Sequence, residues 1–185
     1  MIEIKSLSFS YDENKVIRSF SASIKKGERV CIKGESGKGK TTLLRLLCGL
    51  ERPESGEIIF SENEKIGVAF QSDVLLPWKT ALQNVSVVSD KMTAEKWLCA
   101  FSLSDSMNKY PSELSGGMCR RVALARAVAF EPDVLILDEA FKGLDVALKE
   151  EIMSLIKKHF ANRIVVFTSH DESEIAHLAT RIIEL

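Results

Sequence analysis

The sequence lacks an excess of charge of either sign, since 25 Lys and Arg residues stand against 26 Asp and Glu residues, a formal net charge of −1. No global positive field attracts the chain to nucleic acid or anionic lipid, and we expect no nucleic-acid partner. No apolar run approaches the roughly 20 residues needed to cross a bilayer, and the N-terminal residues lack a signal-peptide profile. These absences predict a chain that stays in the cytoplasm unless a partner holds it at a membrane.

Cysteine is also scarce. The four cysteines Cys31, Cys48, Cys99 and Cys119 are far apart, and no two of them have the short spacing typical of zinc or redox sites. We therefore expect all four to be buried, small hydrophobic residues in a reducing environment. The composition, 45% hydrophobic and 28% charged over 185 residues, is that of an ordinary globular protein and predicts a single domain over residues 1–185.

Strand and helix patterns divide the chain into three regions. Apolar residues alternate from Ile2 to Phe9, and a turn over residues 11–15 precedes a second alternating run, which predicts an N-terminal antiparallel ribbon. From Ser115 onward, helices alternate with strands at 134–137, 164–168 and 181–185. Because these strands are apolar along almost their whole length, they predict an α/β fold with a mainly parallel sheet covered by helices.

The middle region, about residues 72–130, has mostly helical and irregular signals and predicts a small helical subdomain inserted in the main fold. Thr93 is the predicted cap of a helix that carries Trp97, Leu98 and Phe101 on one side. Residues 84–89 are ambiguous between strand and helix.

A glycine-rich loop, Gly34-Glu35-Ser36-Gly37-Lys38-Gly39-Lys40-Thr41, lies between an apolar run and a leucine-rich helical segment. This pattern in this setting predicts a P-loop, in which backbone N–H groups and a helix N-terminus bind phosphate oxygens. Lys40 would reach the β- and γ-phosphates of a nucleotide, and the Thr41 hydroxyl would bind Mg²⁺. The residues predicted to line the nucleotide here are Gly34, Ser36, Gly37, Gly39, Lys40, Thr41 and Thr42.

Two carboxylates, Asp138 and Glu139, follow the apolar run Leu135-Ile136-Leu137. Ligands of parallel α/β sheets bind at the carboxyl ends of the strands, where this pair and the P-loop would meet. Asp138 is therefore predicted to lie near Mg²⁺. Glu139 is the candidate for orienting or deprotonating the attacking water.

The stretch Leu114-Ser115-Gly116-Gly117-Met118 resembles the Leu-Ser-Gly-Gly-Gln signature of ABC-type ATPases, and the following residues 120–127 continue the match. The resemblance implies a P-loop NTPase fold of ABC type. It also implies that Ser115, Gly116 and Gly117 form a second phosphate clamp at a helix start. In such proteins two domains pair head to tail, so we expect a homodimer in the ATP-bound state with each signature closing on the other P-loop.

Further positions resemble functional positions of ABC-type ATPases. Tyr11 matches the aromatic residue that stacks on adenine, and Gln71 matches the glutamine that touches Mg²⁺ and the attacking water. His170 matches the switch histidine that contacts the γ-phosphate. Gly143-Leu144-Asp145 matches the loop that links the two nucleotide sites. The resemblance therefore implies catalytic roles for Glu139, His170, Gln71 and Lys40.

The run Leu75-Leu76-Pro77-Trp78, within residues 71–80, resembles the ATPase subunits of importers for nitrate, sulfonates, taurine and thiamine precursors. An exposed apolar cluster here would receive a helix of an integral-membrane permease subunit. The alternative is that Leu76 and Trp78 pack the helical subdomain. The resemblance implies a location on the cytoplasmic face of the cell membrane, with an extracytoplasmic solute-binding protein and the permease selecting the cargo.

Some positions depart from the ABC pattern: Met118 replaces the usual signature Gln, and Lys142 stands where Ser is common. Both lie where the dimer interface is expected. The function implied is the ATP-hydrolysing subunit of a transporter, an importer of a small anion or organic solute. The alternative is a soluble ABC-type ATPase acting on nucleic acid or ribosomes, whose usual coiled-coil insertions, zinc modules and basic surface this sequence lacks.

Overall fold

The computed structural model describes residues 1–61, 63–72 and 74–185. In these residues the regular structure consists of two β-sheets, six α-helices and two short 3₁₀ helices, Ser104–Ser106 and Pro111–Glu113. The strands are β1 (Ile2–Tyr11), β2 (Asn14–Ile24), β3 (Arg29–Lys33), β4 (Ser55–Phe60), β5 (Ile66–Ala69), β6 (Val134–Asp138), β7 (Ile164–Thr168) and β8 (Arg181–Glu184). The helices are α1 (Lys40–Leu47), α2 (Ala81–Val85), α3 (Lys91–Ala100), α4 (Gly116–Ala129), α5 (Val146–His159) and α6 (Glu172–Leu178).

The central sheet has the strand order β5-β6-β7-β3-β8, and all its neighbouring strands are parallel. Alternate residues of β6 point to opposite faces, so that Val134 and Ile136 join one hydrophobic cluster and Leu135 and Leu137 join the other. Both faces of β6 and β7 are therefore buried, which explains why their sequences are apolar throughout. The predicted parallel sheet is confirmed.

The second sheet is antiparallel, with the order β2-β1-β4. Its buried side chains, such as Ile2 and Phe9, share a cluster with Leu43 and Leu47 of α1. The predicted ribbon is confirmed, but its turn is shorter than expected. Only Asp12 and Glu13 separate β1 from β2, and Asp12 adopts a φ of 51°, which lets a two-residue connection reverse the chain.

Three helices, α2, α3 and α4, lie between β5 and β6 and pack on one another. The predicted cap of α3 was wrong: Asp90 is the N-cap, and the Thr93 backbone N–H donates to its Oδ1 at 2.9 Å. Residues 84–89, for which the sequence does not distinguish strand from helix, include the end of α2. There the buried Asn84 amide donates to the Leu76, Lys79 and Thr80 carbonyls. The division into core and helical subdomain stays a prediction, and Asp73 lies outside the described residues.

The cysteines differ in exposure. Cys31 is buried in the central sheet, and desolvation raises the pKa of its thiol to about 11. Burial likewise raises the pKa of the half-buried Cys48 to about 12. The prediction that all four are buried was wrong for Cys99, which is exposed on α3, and only half right for Cys48 and Cys119. The described residues hold no cluster of three His, Cys, Asp or Glu side chains suited to a metal ion.

No helix in the described ranges combines the length and apolar character needed to span a membrane.

Candidate functional site at the carboxyl edge of the parallel sheet

The carboxyl ends of β6, β7 and β3 lie side by side in the central sheet. Asp138 of β6 pairs with Thr168 of β7, which in turn pairs with Ile32 of β3. The loops that follow these three strands therefore leave the same edge of the sheet. This is the edge at which parallel α/β proteins bind their ligands.

The glycine-rich loop connects β3 to α1 and curls around the side chain of Lys40. Lys40 is buried, and its Nζ donates to the Gly34 and Glu35 carbonyls at 2.8 and 2.9 Å. Gly39 has a φ of 94°, and a Cβ there would lie 2.6 Å from Cγ1 of Val16, so only glycine fits. Residues 35–38 of the loop are exposed, as is Thr41 in the first turn of α1, so a ligand can reach both.

Asp138 is the most enclosed carboxylate of the site, with 2% of its surface exposed. It accepts one hydrogen bond from Thr41 Oγ1 at 2.8 Å and one from Thr168 Oγ1 at 2.6 Å. A buried carboxylate needs such donors because its charge is costly to desolvate. The structure thus brings the predicted Thr41 and Asp138 together and adds Thr168. Sequence reasoning missed Thr168, although its position at the end of β7 was a usable signal.

Glu139 has a φ of 46°, a left-handed conformation that is uncommon for a residue with a side chain. Its backbone N–H donates to Thr168 Oγ1 at 3.0 Å. On its carboxylate, Oε2 accepts from Gln71 Nε2 at 3.4 Å, and Oε1 lies 3.5 Å from His170 Nε2. Three residues predicted to be catalytic therefore meet at one carboxylate.

A buried network supports the segment that carries His170. Lys149 of α5 donates to Asp171 Oδ2 at 2.6 Å and to Glu174 Oε1 at 2.9 Å, and Ser169 Oγ donates to the other Glu174 oxygen at 2.6 Å. The residues on both sides of His170 are thus tied to α5 and α6. Hydrogen bonds from Lys149 and Ser173 lower the pKa of the Asp171 carboxyl. Bonds to Asp171 and Glu174 raise the pKa of Lys149 in spite of its burial.

The signature segment Ser115, Gly116 and Gly117 begins α4, with the Ser115 hydroxyl accepting from the Met118 N–H at 3.3 Å. Gly117 lies near the Gly143 carbonyl, 3.6 Å from where its Cβ would be. No hydrogen bond or ion pair in the described ranges joins Ser115, Gly116 or Gly117 to residues 34–42. Within one chain, the two predicted phosphate-binding segments therefore make no direct polar contact among the described residues.

Tyr11, predicted to contact adenine, and Trp78, predicted to contact a membrane partner, are not part of the hydrogen-bonded cluster around Asp138 and Glu139. Tyr11 is exposed at the end of β1 and packs edge-on against Phe9, with 4.8 Å between the ring centroids. Its hairpin touches the phosphate loop through Val16. Trp78 is 69% exposed, so it does not pack the helical segment, whereas Leu76 is half-buried.

A protein-family model described as "ABC transporter" matches residues 17–142, more than half of the chain. The chain belongs to the ABC transporter family. The aliphatic sulfonates import ATP-binding protein SsuB of Zymomonas mobilis is 37% identical over 195 residues, which cover 100% of this chain and 81% of that protein. The ergothioneine transport ATP-binding protein EgtV of Helicobacter pylori is 35% identical over 206 residues, covering 100% of this chain and 97% of that protein.

A solved dimeric structure of the ATP-binding cassette MJ0796, in a post-hydrolysis state bound to ADP and Pi, superimposes on this chain with a TM-score of 0.91. The two are 31% identical, and the match covers 100% of this chain and 94% of that one. The ABC fold predicted from the signature and the P-loop is confirmed. This ABC protein is an ATPase cassette, and ATP is its nucleotide.

Replacing Lys149 should destabilise the cassette. Lys149→Met would leave the buried Glu174 carboxylate without its ammonium partner, and breaking a buried ion pair in this way costs about 3 kcal/mol. We expect the free energy of unfolding in urea to fall by this amount. Lys158→Met, which removes an exposed lysine of the same helix, should change it by less than about 0.5 kcal/mol. Equal free energies of unfolding for Lys149→Met and the wild type would show that the Lys149 ion pairs contribute little to stability.

The Asp171 carboxyl should make stability depend on pH. The pKa of Asp171 is lowered in the folded state. Its contribution to the free energy of unfolding is therefore complete above about pH 4, the pKa in the unfolded chain, and is lost as the pH falls toward the pKa of the folded state. Urea unfolding at a series of pH values should show wild type more stable than Asp171→Asn at neutral pH, with the difference shrinking below about pH 4. A difference that stays constant down to about pH 2.5 would show that Asp171 does not contribute through its charge.

Proposed function

We propose that this chain is the ATP-hydrolysing subunit of a transporter that imports a small anion or organic solute. The observation that carries the proposal is the meeting of the P-loop threonine with Asp138, and of Glu139 with Gln71 and His170, at one edge of the sheet. The relatives support the direction of transport, since SsuB is named as an import protein.

ATP would bind with its phosphates over the loop that holds Lys40. The Lys40 ammonium now bonds two backbone carbonyls, and phosphate oxygens would offer it a stronger, charged acceptor. Thr42 is buried at the start of α1. Gly37 is exposed and has no atom within 4 Å of where its Cβ would be, so a phosphate oxygen can approach its backbone. Tyr11 is proposed to stack on the adenine ring, a contact that its exposed ring leaves available.

The donor set fits Mg²⁺. Thr41 Oγ1 and Asp138 Oδ2 are hard oxygen ligands that already lie 2.8 Å apart, and Gln71 is proposed as a third ligand. When bound, Mg²⁺ would offset the negative charge of the β- and γ-phosphates. Thr168 would keep the second Asp138 oxygen in place.

Glu139 is the proposed acceptor of the proton from the attacking water. Its backbone is held by Thr168, and its side chain is 19% exposed, so it is both oriented and reachable. Gln71 lies beside Oε2 of the Glu139 carboxylate, and His170 lies beside Oε1. Both are proposed to orient the water and the γ-phosphate. The Lys149 network fixes the segment that carries His170.

The active unit is proposed to be a head-to-tail homodimer. Ser115 and Gly116 are exposed at the start of α4, and a fourteen-residue helix presents its positive end there. Because these groups do not meet their own P-loop, a second chain would supply them to the γ-phosphate. The cassette MJ0796, which superimposes on this chain, was solved as a dimer.

A permease is the proposed membrane partner, and its docking site is proposed at Val74 and Trp78. Both side chains are more than two-thirds exposed and lie close in sequence to Gln71. Docking would place the chain on the cytoplasmic face of the cell membrane. An extracytoplasmic solute-binding protein and the permease would select the solute, in keeping with relatives of similar identity that are named for sulfonates and for ergothioneine.

Glu139→Gln should separate ATP binding from hydrolysis. The amide keeps the size of the side chain but accepts no proton, so phosphate release from Mg-ATP should fall by at least about 100-fold while a fluorescent ATP analogue still binds. Light scattering should then show a dimer with ATP and a monomer without it. Exposed Glu150→Gln on α5 is the control. Unchanged turnover in Glu139→Gln would remove Glu139 from the mechanism, and a monomer with ATP would contradict the dimer.

Trp78→Ser should weaken association with the membrane partner. The tagged chain, expressed in its source cells and recovered from detergent-solubilised membranes, should retain an integral-membrane protein, and Trp78→Ser should retain at least about tenfold less, because an exposed anchor of this kind is typical of binding hot spots. Leu50→Ser, which changes another exposed apolar residue, is the control. Recovery of nucleic acid in place of a membrane protein would support the alternative of a soluble ATPase.

A further inference from the structure

Lys142 lies beside the carboxylate that is the proposed proton acceptor. The two residues share a turn in which the Lys142 N–H donates to the Glu139 carbonyl at 3.2 Å. Their side chains also meet, with Lys142 Nζ 3.2 Å from Glu139 Oε2. The Lys142 side chain is 65% exposed, so packing does not confine it to this one conformation.

The Lys142 ammonium and the Gln71 amide both donate to the same oxygen, Oε2 of Glu139. A carboxylate oxygen has two lone pairs, so these two donors fill it. The other oxygen, Oε1, lies 3.5 Å from His170 Nε2. In this arrangement Oε2 already accepts from two donors, and the His170 imidazole lies beside Oε1.

One side chain of α4 holds both segments that supply these donors. Arg120 Nη1 donates to the Lys142 carbonyl at 3.0 Å, and Arg120 Nη2 donates to the Gln71 carbonyl at 2.7 Å. Arg120 lies little more than one helical turn after Ser115 in the same helix. The position of Lys142 beside Glu139 is therefore set by its own turn and by the signature helix.

We propose that Lys142 restrains the Glu139 carboxylate by hydrogen bonding to Oε2 and so lowers the rate of ATP hydrolysis by this chain. The inference rests on the proposed role of Glu139. Lys142 is a positioning residue, since it acts through Glu139 and needs no contact with ATP. Its effect is modest, because an exposed ion pair is weak and is screened by salt.

The test is steady-state hydrolysis of Mg-ATP by the full chain, with kcat and KM determined separately. Lys142→Met removes the ammonium but keeps an unbranched side chain, and we expect kcat to rise about two- to fivefold with KM for ATP unchanged. Lys142→Arg keeps a cationic donor and should keep kcat near the wild-type value. A fall or no change of kcat in Lys142→Met would overturn the proposal.

Ionic strength gives a second readout that a merely structural lysine would not affect. Raising NaCl from about 50 to about 500 mM shortens the screening length, so the ratio of the Lys142→Met rate to the wild-type rate should fall toward one. Lys91→Met is the matched control, because Lys91 is an exposed lysine that pairs with Glu95 on α3, away from the site. A ratio independent of salt, or an equal rise in Lys91→Met, would contradict the restraint.

Two further measurements separate this inference from its alternatives. Light scattering under the assay conditions reports the dimer fraction, and a higher kcat explained wholly by more dimer would overturn the proposal. Glu139→Gln, assayed in parallel, tests the function on which the inference rests. Loss of hydrolysis in Glu139→Gln together with an unchanged rate in Lys142→Met would refute the restraint alone, whereas full hydrolysis by Glu139→Gln would refute the role of Glu139.

Discussion

The site depends on one buried carboxylate, that of Asp138, which joins three segments of the chain through hydrogen bonds. Thr41 of the P-loop helix bonds one oxygen, and Thr168 of β7 bonds the other. Because the carboxylate is almost wholly removed from water, losing either donor would leave a costly buried charge. The positions of the phosphate loop, the Asp-Glu pair and the His170 segment are therefore coupled to one another.

Glu139, the next residue, is held differently. Its backbone is fixed by Thr168 and adopts a strained left-handed conformation. Its carboxylate contacts the Gln71 amide, the Lys142 ammonium and the His170 imidazole, all at distances of at least 3.2 Å. A fixed backbone with long side-chain contacts suits the role proposed for Glu139, in which its carboxylate would exchange partners. Hydrogen bonds from Arg120 connect the site to α4, and hydrogen bonds from Lys149 connect it to α5. Helix α4 begins with the signature segment, and α5 follows Gly143-Leu144-Asp145, the two segments proposed to face a second chain.

Much of this was predictable because the relevant signals are local. The P-loop is a contiguous pattern in a strand-loop-helix setting, and β6 and β7 are apolar throughout because both their faces are covered. Thr168, Arg120 and Lys149 were missed because threonine at a strand end and basic residues on helices are common and carry no pattern of their own. Thr93 is a residue type suited to a helix cap, but Asp90 is the residue that immediately precedes the first residue of α3, Lys91.

The sequence by itself determined the fold family, and it predicted the P-loop and carboxylate residues of the candidate site, because the spacing of glycine, lysine and carboxylate residues is tied to phosphate chemistry. Only the tertiary structure decided which of them meet. It placed Gln71, His170 and Lys142 around one carboxylate, exposed Trp78, and buried Lys149 beneath the His170 segment. It formed no hydrogen bond between Ser115 and the P-loop residues among those that the structure describes. These outcomes depend on how strand order and helix packing bring distant segments together, and no local pattern encodes that distance.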